Sequence, residues 1–184
     1  MQIEDGKGSG SKAGVSFHNR IMVDSVAVSV EHHINHQFGR AFNLLFDATP
    51  TGAGDCFLYM KNDAGRDLIV EGFWLKLVAD EYIDIKLNDS GTPSGGGAIV
   101  PVNLNGGSGN VADGTFEDGN DITGLSGGST SHRIYHASST GSDYHNFNQD
   151  IIIPKNSTLT MYCQTGTTAL AGMLVFNFHT EEFG

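Results

Sequence analysis

Three histidines, His32, His33 and His36, stand close together near the start of the chain. Two imidazoles at i and i+4 on a helix, with a glutamate between them as base, are what a zinc protease uses. His32 and His36 have that spacing, but His33 occupies the place of the glutamate. Val26, Val28, Val30 and Ile34 alternate with polar residues around them, which reads as strand. On a strand the outer imidazoles lie about 13 Å apart, too far for one ion, so ordinary or interfacial histidine is expected. Asp113, Glu117, Asp118, Asn120 and Asp121 share a loop with Gly114 and Gly119, a composition that calcium favours. They lack the alternate ligands and closing glutamate of an EF-hand, and a solvated acidic loop is the plainer reading. Gly6-Lys7-Gly8-Ser9-Gly10-Ser11-Lys12 has the residue types of a phosphate loop. Its Gly-Ser-Lys order is wrong, and only five residues precede it where a strand is required. No Gly-x-Ser-x-Gly stands between a strand and a helix. Asp80-Glu81 and Glu181-Glu182 are carboxylate pairs of the type sugar hydrolysis employs, yet each reads more simply as a solvated turn. Tyr135, Tyr144 and Phe147 are suited to a glycan-binding face, and more readily to core or subunit contacts. No catalytic residue, no metal ligand and no cofactor site is assigned.

The elements that would position these side chains are strands. After Arg20 apolar residues recur with period two. Ile21 and Val23 set one phase, and Val26 onward sets the other, which predicts a bulge or break near Asp24–Ser25. Strands are predicted over 42–46, 56–61, 68–78, 82–87, 98–104, 133–137, 144–153, 158–164 and 170–179, most of them bounded by Gly, Asn, Asp or Pro. Ile83, Ile85 and Leu87 should face one way, and Val100, Val102 and Leu104 likewise form one apolar side. No stretch has clear helical periodicity, and a short helical turn is expected only at 110–117. Many short strands at regular spacing predict a sandwich or barrel. Residues 88–130 are different: they hold twelve of the 25 glycines. An excursion of that length in a compact domain is functional or is ordered by a neighbour. Cys56 and Cys163 both fall in apolar alternating runs and read as free buried thiols rather than a disulfide.

Composition excludes several function classes. With 184 residues the chain is one domain. Ten Lys and Arg against 21 Asp and Glu give a net charge of −11, the wrong sign for displacing counterions from nucleic acid or for binding an anionic membrane. Only 17% of residues are charged, too few for the exposed faces of a helical bundle. No secretory signal or membrane-length apolar run is seen, so a soluble product of a cytoplasm is expected. Residues 1–20 are rich in Gly, Ser and Lys and are expected to be a tail, or an extended arm that orders against another molecule, reaching about 60 Å if drawn out.

The string Ile3-Glu4-Asp5-Gly6-Lys7-Gly8-Ser9-Gly10, followed by Ala13, Val15 and Asn19-Arg20-Ile21-Met22-Val23, resembles the opening of a family of small tailed-bacteriophage virion proteins. In that family a Gly-rich arm runs into an Asn-Arg-aliphatic strand. Val102-Asn103-Leu104-Asn105 and Ser108-Gly109-Asn110-Val111-Ala112-Asp113, then Thr115, form a second matching stretch, and Pro154-Lys155-Asn156-Ser157-Thr158-Leu159 is similar to the last corner of many jelly rolls. The histidine cluster and the C-terminal strand lie outside the pattern. The resemblance implies a virion building block without fixing its place on the particle. The resulting expectation is an all-β chain. An N-terminal arm (1–20) is followed by a jelly-roll-like antiparallel sandwich (21–184) with the Gly-rich excursion at 88–130. It is expected to be a non-enzymatic head decoration or cement protein of the virion, without cofactor. Its partners would be the major capsid protein or other virion proteins and copies of itself, with a trimer as the guess. The arm contacts would be Ile3, Val15 and Phe17 as apolar anchors and Arg20 as a fork for a carboxylate. A neck, tail or fibre component, and a carbohydrate-binding host-attachment module, are the alternatives.

Overall fold

The computed structural model describes residues 3–4, 12–15, 21–22, 30–138, 141–166 and 168–179. Its strands are β1 (Ile3–Glu4), β2 (Lys12–Val15), β3 (Ile21–Met22), β4 (Ala41–Ala48), β5 (Cys56–Asn62), β6 (Leu68–Leu77), β7 (Glu81–Leu87), β8 (Ser90–Ser94), β9 (Gly97–Ala98), β10 (Val102–Asn103), β11 (Gly114–Asp118), β12 (Thr123–Ser126), β13 (Ser129–His136), β14 (Asp143–Ile153), β15 (Thr158–Cys163) and β16 (Leu170–Phe178). One helix, α1, spans Val30–Phe38. Among the described residues no helix is long and apolar enough to cross a membrane.

Two sheets carry the body, with strand orders β10-β4-β16-β6-β14 and β13-β7-β15-β5-β11-β9, every pair antiparallel. Leaving out β1–β3 and β8–β12, eight strands remain. The first, eighth, third and sixth lie side by side in one sheet, and the second, seventh, fourth and fifth in the other. That is the jelly-roll connection. Alternation along each strand sends one set of side chains inward. Phe42, Phe46, Phe57, Phe73, Phe116 and Phe176 fill the space between the sheets, with Phe42 and Phe176 stacked at 5.6 Å and Phe116 on Phe176 at 5.5 Å. Cys56 and Cys163 are both free and buried.

The excursion between β7 and β13 is ordered by pairing at several places. Its β11 extends the six-stranded sheet beyond β5, β9 pairs with β11, and β10 extends the other sheet beyond β4. Both sheet edges on that side, which would otherwise present unpaired backbone groups, are therefore covered by the chain itself. β8 and β12 pair as a two-stranded sheet, which brings Ile122 and Leu125 against Cys56, Tyr59 and Tyr162 on the outer side of the six-stranded sheet.

Several expectations are corrected. Residues 30–38 form a helix where a strand was read. Among its described side chains Ile34 is the one fully buried apolar group, so they form no apolar stripe to reveal it. The helix is fixed at its C-terminus instead: Gly39 adopts a positive φ of 56° and donates to the Asn35 carbonyl. The side-chain amides of Asn105 and Asn110 donate to the carbonyls of Asn35 and Phe38. Orphan carbonyls at a helix end need such partners. The helical turn expected at 110–117 is absent; residues 114–118 are β11. Ala98–Leu104 is not one half-buried strand. It breaks into two short edge pieces, and Val100 is 83% exposed. At the N-terminus β1 pairs with β2, and β2 with β3. The described pieces 3–4, 12–15 and 21–22 thus form a small antiparallel sheet of their own, in which pairing satisfies amides and carbonyls.

Two tests follow from the packing. A Cβ on Gly72 would sit 2.7 Å from the Tyr144 hydroxyl and closer still to the His145 carbonyl oxygen, whereas one on Gly65 meets nothing within 4 Å. Gly72→Ala should cost about 1–3 kcal/mol in urea unfolding, and Gly65→Ala should be near neutral; equal effects would contradict this packing. Burial raises both thiols from 9.0 to about 12. Between those values the folded chain binds more protons than the unfolded one, so stability must fall as pH rises above about 9. A denaturant midpoint that declines from pH 9 to pH 11, less steeply when both cysteines are replaced by alanine, is the expected outcome; a pH-independent midpoint would count against it.

Candidate functional site

Three carboxylates on or just after β7 fix the surrounding segments. Asp89 is buried. Its Oδ2 accepts from the Thr160 hydroxyl at 2.5 Å and the Tyr162 hydroxyl at 2.9 Å. Oδ1 accepts from the Gly128 amide at 2.8 Å, and the Asp89 carbonyl accepts from the Thr158 hydroxyl. One side chain thereby ties the first residues of the excursion to its last ones and both to β15. Asp84 takes a two-point contact from Arg133 at 2.6 and 2.7 Å. Glu81, only 1% exposed, accepts from the amides of Thr165 and Gly166 and from the Thr165 hydroxyl. The solvated turn expected at Asp80-Glu81 is thus half wrong: Asp80 is at the surface, while Glu81 is an internal anchor for the loop before β16. Ser138, through its backbone amide and its hydroxyl, and then the Tyr135 hydroxyl hold the Asp80 carboxyl below its ordinary range.

Between β8 and the β5–β11 edge lies a cleft of about 590 Å³, lined by Tyr59, Lys61, Asn88, Ser90, Thr92, Glu117 and Asn156 among others. Its lining is hydroxyl, amide and charge. Lys61 pairs with Asp63 at 2.7 Å, and Tyr59 is buried, so it offers no open ring face.

The outer face of the five-stranded sheet is apolar instead. Leu45 lies opposite Met173, Met173 opposite Trp74, and Trp74 opposite Tyr144. Trp74 and Tyr144 stack with centroids 4.0 Å apart, and Gly72 leaves room for the tyrosine ring. Val102, opposite Asn43 on β10, continues the line. Leu45 and Val102 are each 60% exposed. The result is an apolar row across β4, β16, β6 and β14, with Val102 diagonal to Leu45 on β10. Contiguous exposed apolar surface of this kind marks contact sites, and Met, Trp and Tyr are enriched in them.

At the opposite edge from the excursion, His136 ends β13 while Asp143 and His145 begin β14. One donor atom from each lies within 4.8 Å of the others. His136 is buried and its Nε2 faces the Gly141 carbonyl at 3.2 Å. Its Nδ1 is 3.8 Å from Asp143 Oδ2. The His145 ring packs on Phe73 with centroids 4.9 Å apart. Burial holds His145 below its ordinary value, with Asp143 opposing. Residue types and spacing gave one faint signal for this group, a histidine seven residues before Asp-x-His, broken by a strand connection.

The residues singled out from the sequence are dispersed. Ile3 and Val15 lie on β1 and β2 of the meander, on adjacent strands but not directly opposite one another. Phe17, Arg20, the Gly6–Ser11 string and Glu181-Glu182 lie outside the described residues. His32 and His36 lie one helical turn apart on α1 with ring centroids at 6.2 Å, so the strand separation of about 13 Å does not apply. In the acidic loop, Asp118 and Asn120 accept from the backbone amides of Asp47 and Thr49, and Glu117 faces the cleft, so the loop is structural and its carboxylates are not gathered. Tyr135 stacks on Tyr82 at 5.0 Å, Tyr144 on Trp74, and Phe147 is buried against Phe73.

Asp89→Asn would turn an NH2 toward donors or remove half the acceptor capacity, at a cost of about 2 kcal/mol. The unfolding midpoint should fall accordingly; an unchanged midpoint would remove the anchoring role. No protein-family model matches the chain, and no curated protein or solved structure matches it.

Proposed function

We propose that the chain is a non-enzymatic structural subunit of a tailed-bacteriophage particle, of the head decoration or cement type, that docks on other virion proteins. The observation that carries this reading is the apolar band Val102–Leu45–Met173–Trp74–Tyr144 on the outer face of the five-stranded sheet. It sits on paired strands and is bordered by polar Asn43 and Lys76. The jelly-roll body and the resemblance of the N-terminal and central motifs to small virion proteins support the same reading. A net charge of −11 favours a protein partner over packaged nucleic acid. The N-terminal residues, with Ile3, Val15, Phe17 and Arg20, add a second contact. The major capsid protein is the proposed partner, and copies of the chain associate as a closed trimer, in keeping with the symmetry rule for homo-oligomers.

The test uses particles assembled with variant chains. Leu45→Asp with Val102→Asp changes two exposed positions, where substitutions usually shift stability by no more than about 0.5 kcal/mol. It should lower occupancy at least about tenfold, which corresponds to roughly 1.4 kcal/mol of binding. Deletion of residues 1–14 should weaken attachment further. Full occupancy by both variants would overturn the reading. Hundreds of copies per particle support decoration; a dozen or fewer support a neck, tail or fibre position instead. A carbohydrate-binding role is favoured by one observation, the hydroxyl- and amide-lined cleft beside Asn88 and Asn156; a glycan array without signal removes it.

A further inference from the structure

We propose that His136, Asp143 and His145 form a binding site for one divalent transition-metal ion of the zinc class, which clasps β13 to β14 where the two sheets meet. The proposal is independent of what the chain attaches to. It starts from a tautomer. His136 Nε2 faces the Gly141 carbonyl at 3.2 Å, and a carbonyl only accepts, so Nε2 carries the ring proton. In the neutral ring the lone pair then belongs to Nδ1. That atom is buried and has no hydrogen-bond partner among the described residues, and the same is true of His145 Nε2. A buried polar atom left without a partner is rare and unfavourable. Here two of them occur on neighbouring residues, His136 Nδ1 stands 3.8 Å from the Asp143 carboxylate, and one ring nitrogen of each histidine lies within 4.8 Å of the other and of an Asp143 oxygen. One cation would satisfy them all.

The donor set selects the ion. Two imidazole nitrogens and one carboxylate oxygen suit zinc and its transition-metal neighbours, whereas calcium and magnesium prefer oxygen alone. The Gly141 carbonyl holds His136 as outer partners hold ligating imidazoles in known metal sites. Donors around a zinc ion stand about 3.3 Å apart, given bonds of about 2.0–2.1 Å, so the site must draw in slightly. Asp143, with its side chain 45% exposed, has room to do so. Three protein donors leave a fourth position for water or for a carboxylate of a neighbouring subunit.

The placement gives the ion structural leverage. β13 is an edge of one sheet and β14 an edge of the other. Residues 143 and 145 straddle Tyr144, which faces outward onto Trp74. An ion held below would fix the strand that presents that stacked pair.

The full-length chain, stripped with chelator and dialysed, is titrated with cobalt(II) as a visible probe and then with zinc. One equivalent of cobalt should bind, be displaced by zinc and not by calcium or magnesium, and zinc should raise the thermal midpoint. Asp143→Asn and His145→Gln should each weaken cobalt binding more than about tenfold and abolish the thermal shift. His32→Ala with His36→Ala, which removes the exposed pair on α1, should leave both intact. Should His145→Gln fail to fold without metal, Asp143→Asn decides alone. No stoichiometric binding to the wild-type chain, binding unchanged by Asp143→Asn, or loss of binding in the α1 double variant would each overturn the proposal.

Discussion

A buried carboxylate is costly unless donors surround it, and Asp89 meets four hydrogen bonds through its side chain and carbonyl. The rest of the architecture depends on this arrangement. A segment with twelve glycines loses much conformational entropy on ordering and has little apolar surface with which to offset it. Asp89 joins the two ends of that segment and fastens them to Thr158, Thr160 and Tyr162 on β15, a strand buried along its whole length. From that point the intervening chain is a closed loop and needs to gain only local pairings. It gains β8 with β12, β11 with β5, and β10 with β4.

The fastened segment shapes what the protein presents to others. It covers the outer side of the six-stranded sheet with Ile122 and Leu125 and closes the edges at β4 and β5. Among the described residues Leu45, and Val102 of the excursion itself, stay exposed on the outer side of the five-stranded sheet. The protein thus presents an apolar, register-locked surface on one sheet and a cleft on the other. The distinction between the two faces follows from where one excursion lands, since both sheets share the same inward packing of phenylalanines.

Much of this body was legible in the residues. The apolar runs around Ile83, Ile85, Cys56 and Cys163 mark buried strands, although β5 and β15 are buried on both faces and so show no alternation of burial. Where the sequence misled, the decisive partner was distant. α1 is held by Asn105 and Asn110, some seventy positions away, and its described side chains carry one buried anchor, Ile34. Val100, Val102 and Leu104 alternate as a buried strand would, yet they sit on an edge with solvent beyond. Glu81 and Asp84 look like solvated charges and are internal, each satisfied by donors that arrive from other loops and strands. The His136, Asp143 and His145 group was missed because its members belong to two strands of different sheets, and no short spacing rule spans such a junction.

Native-state hydrogen exchange of the isolated protein tests the central constraint most directly. If Asp89 makes the excursion a fixed part of the sandwich, the amides of Gly128, β11 and β12 exchange through the same cooperative opening as those of β5 and β15, with comparable protection. Exchange of those amides at the rates of unstructured loops, while β5 and β15 stay protected, would contradict the account.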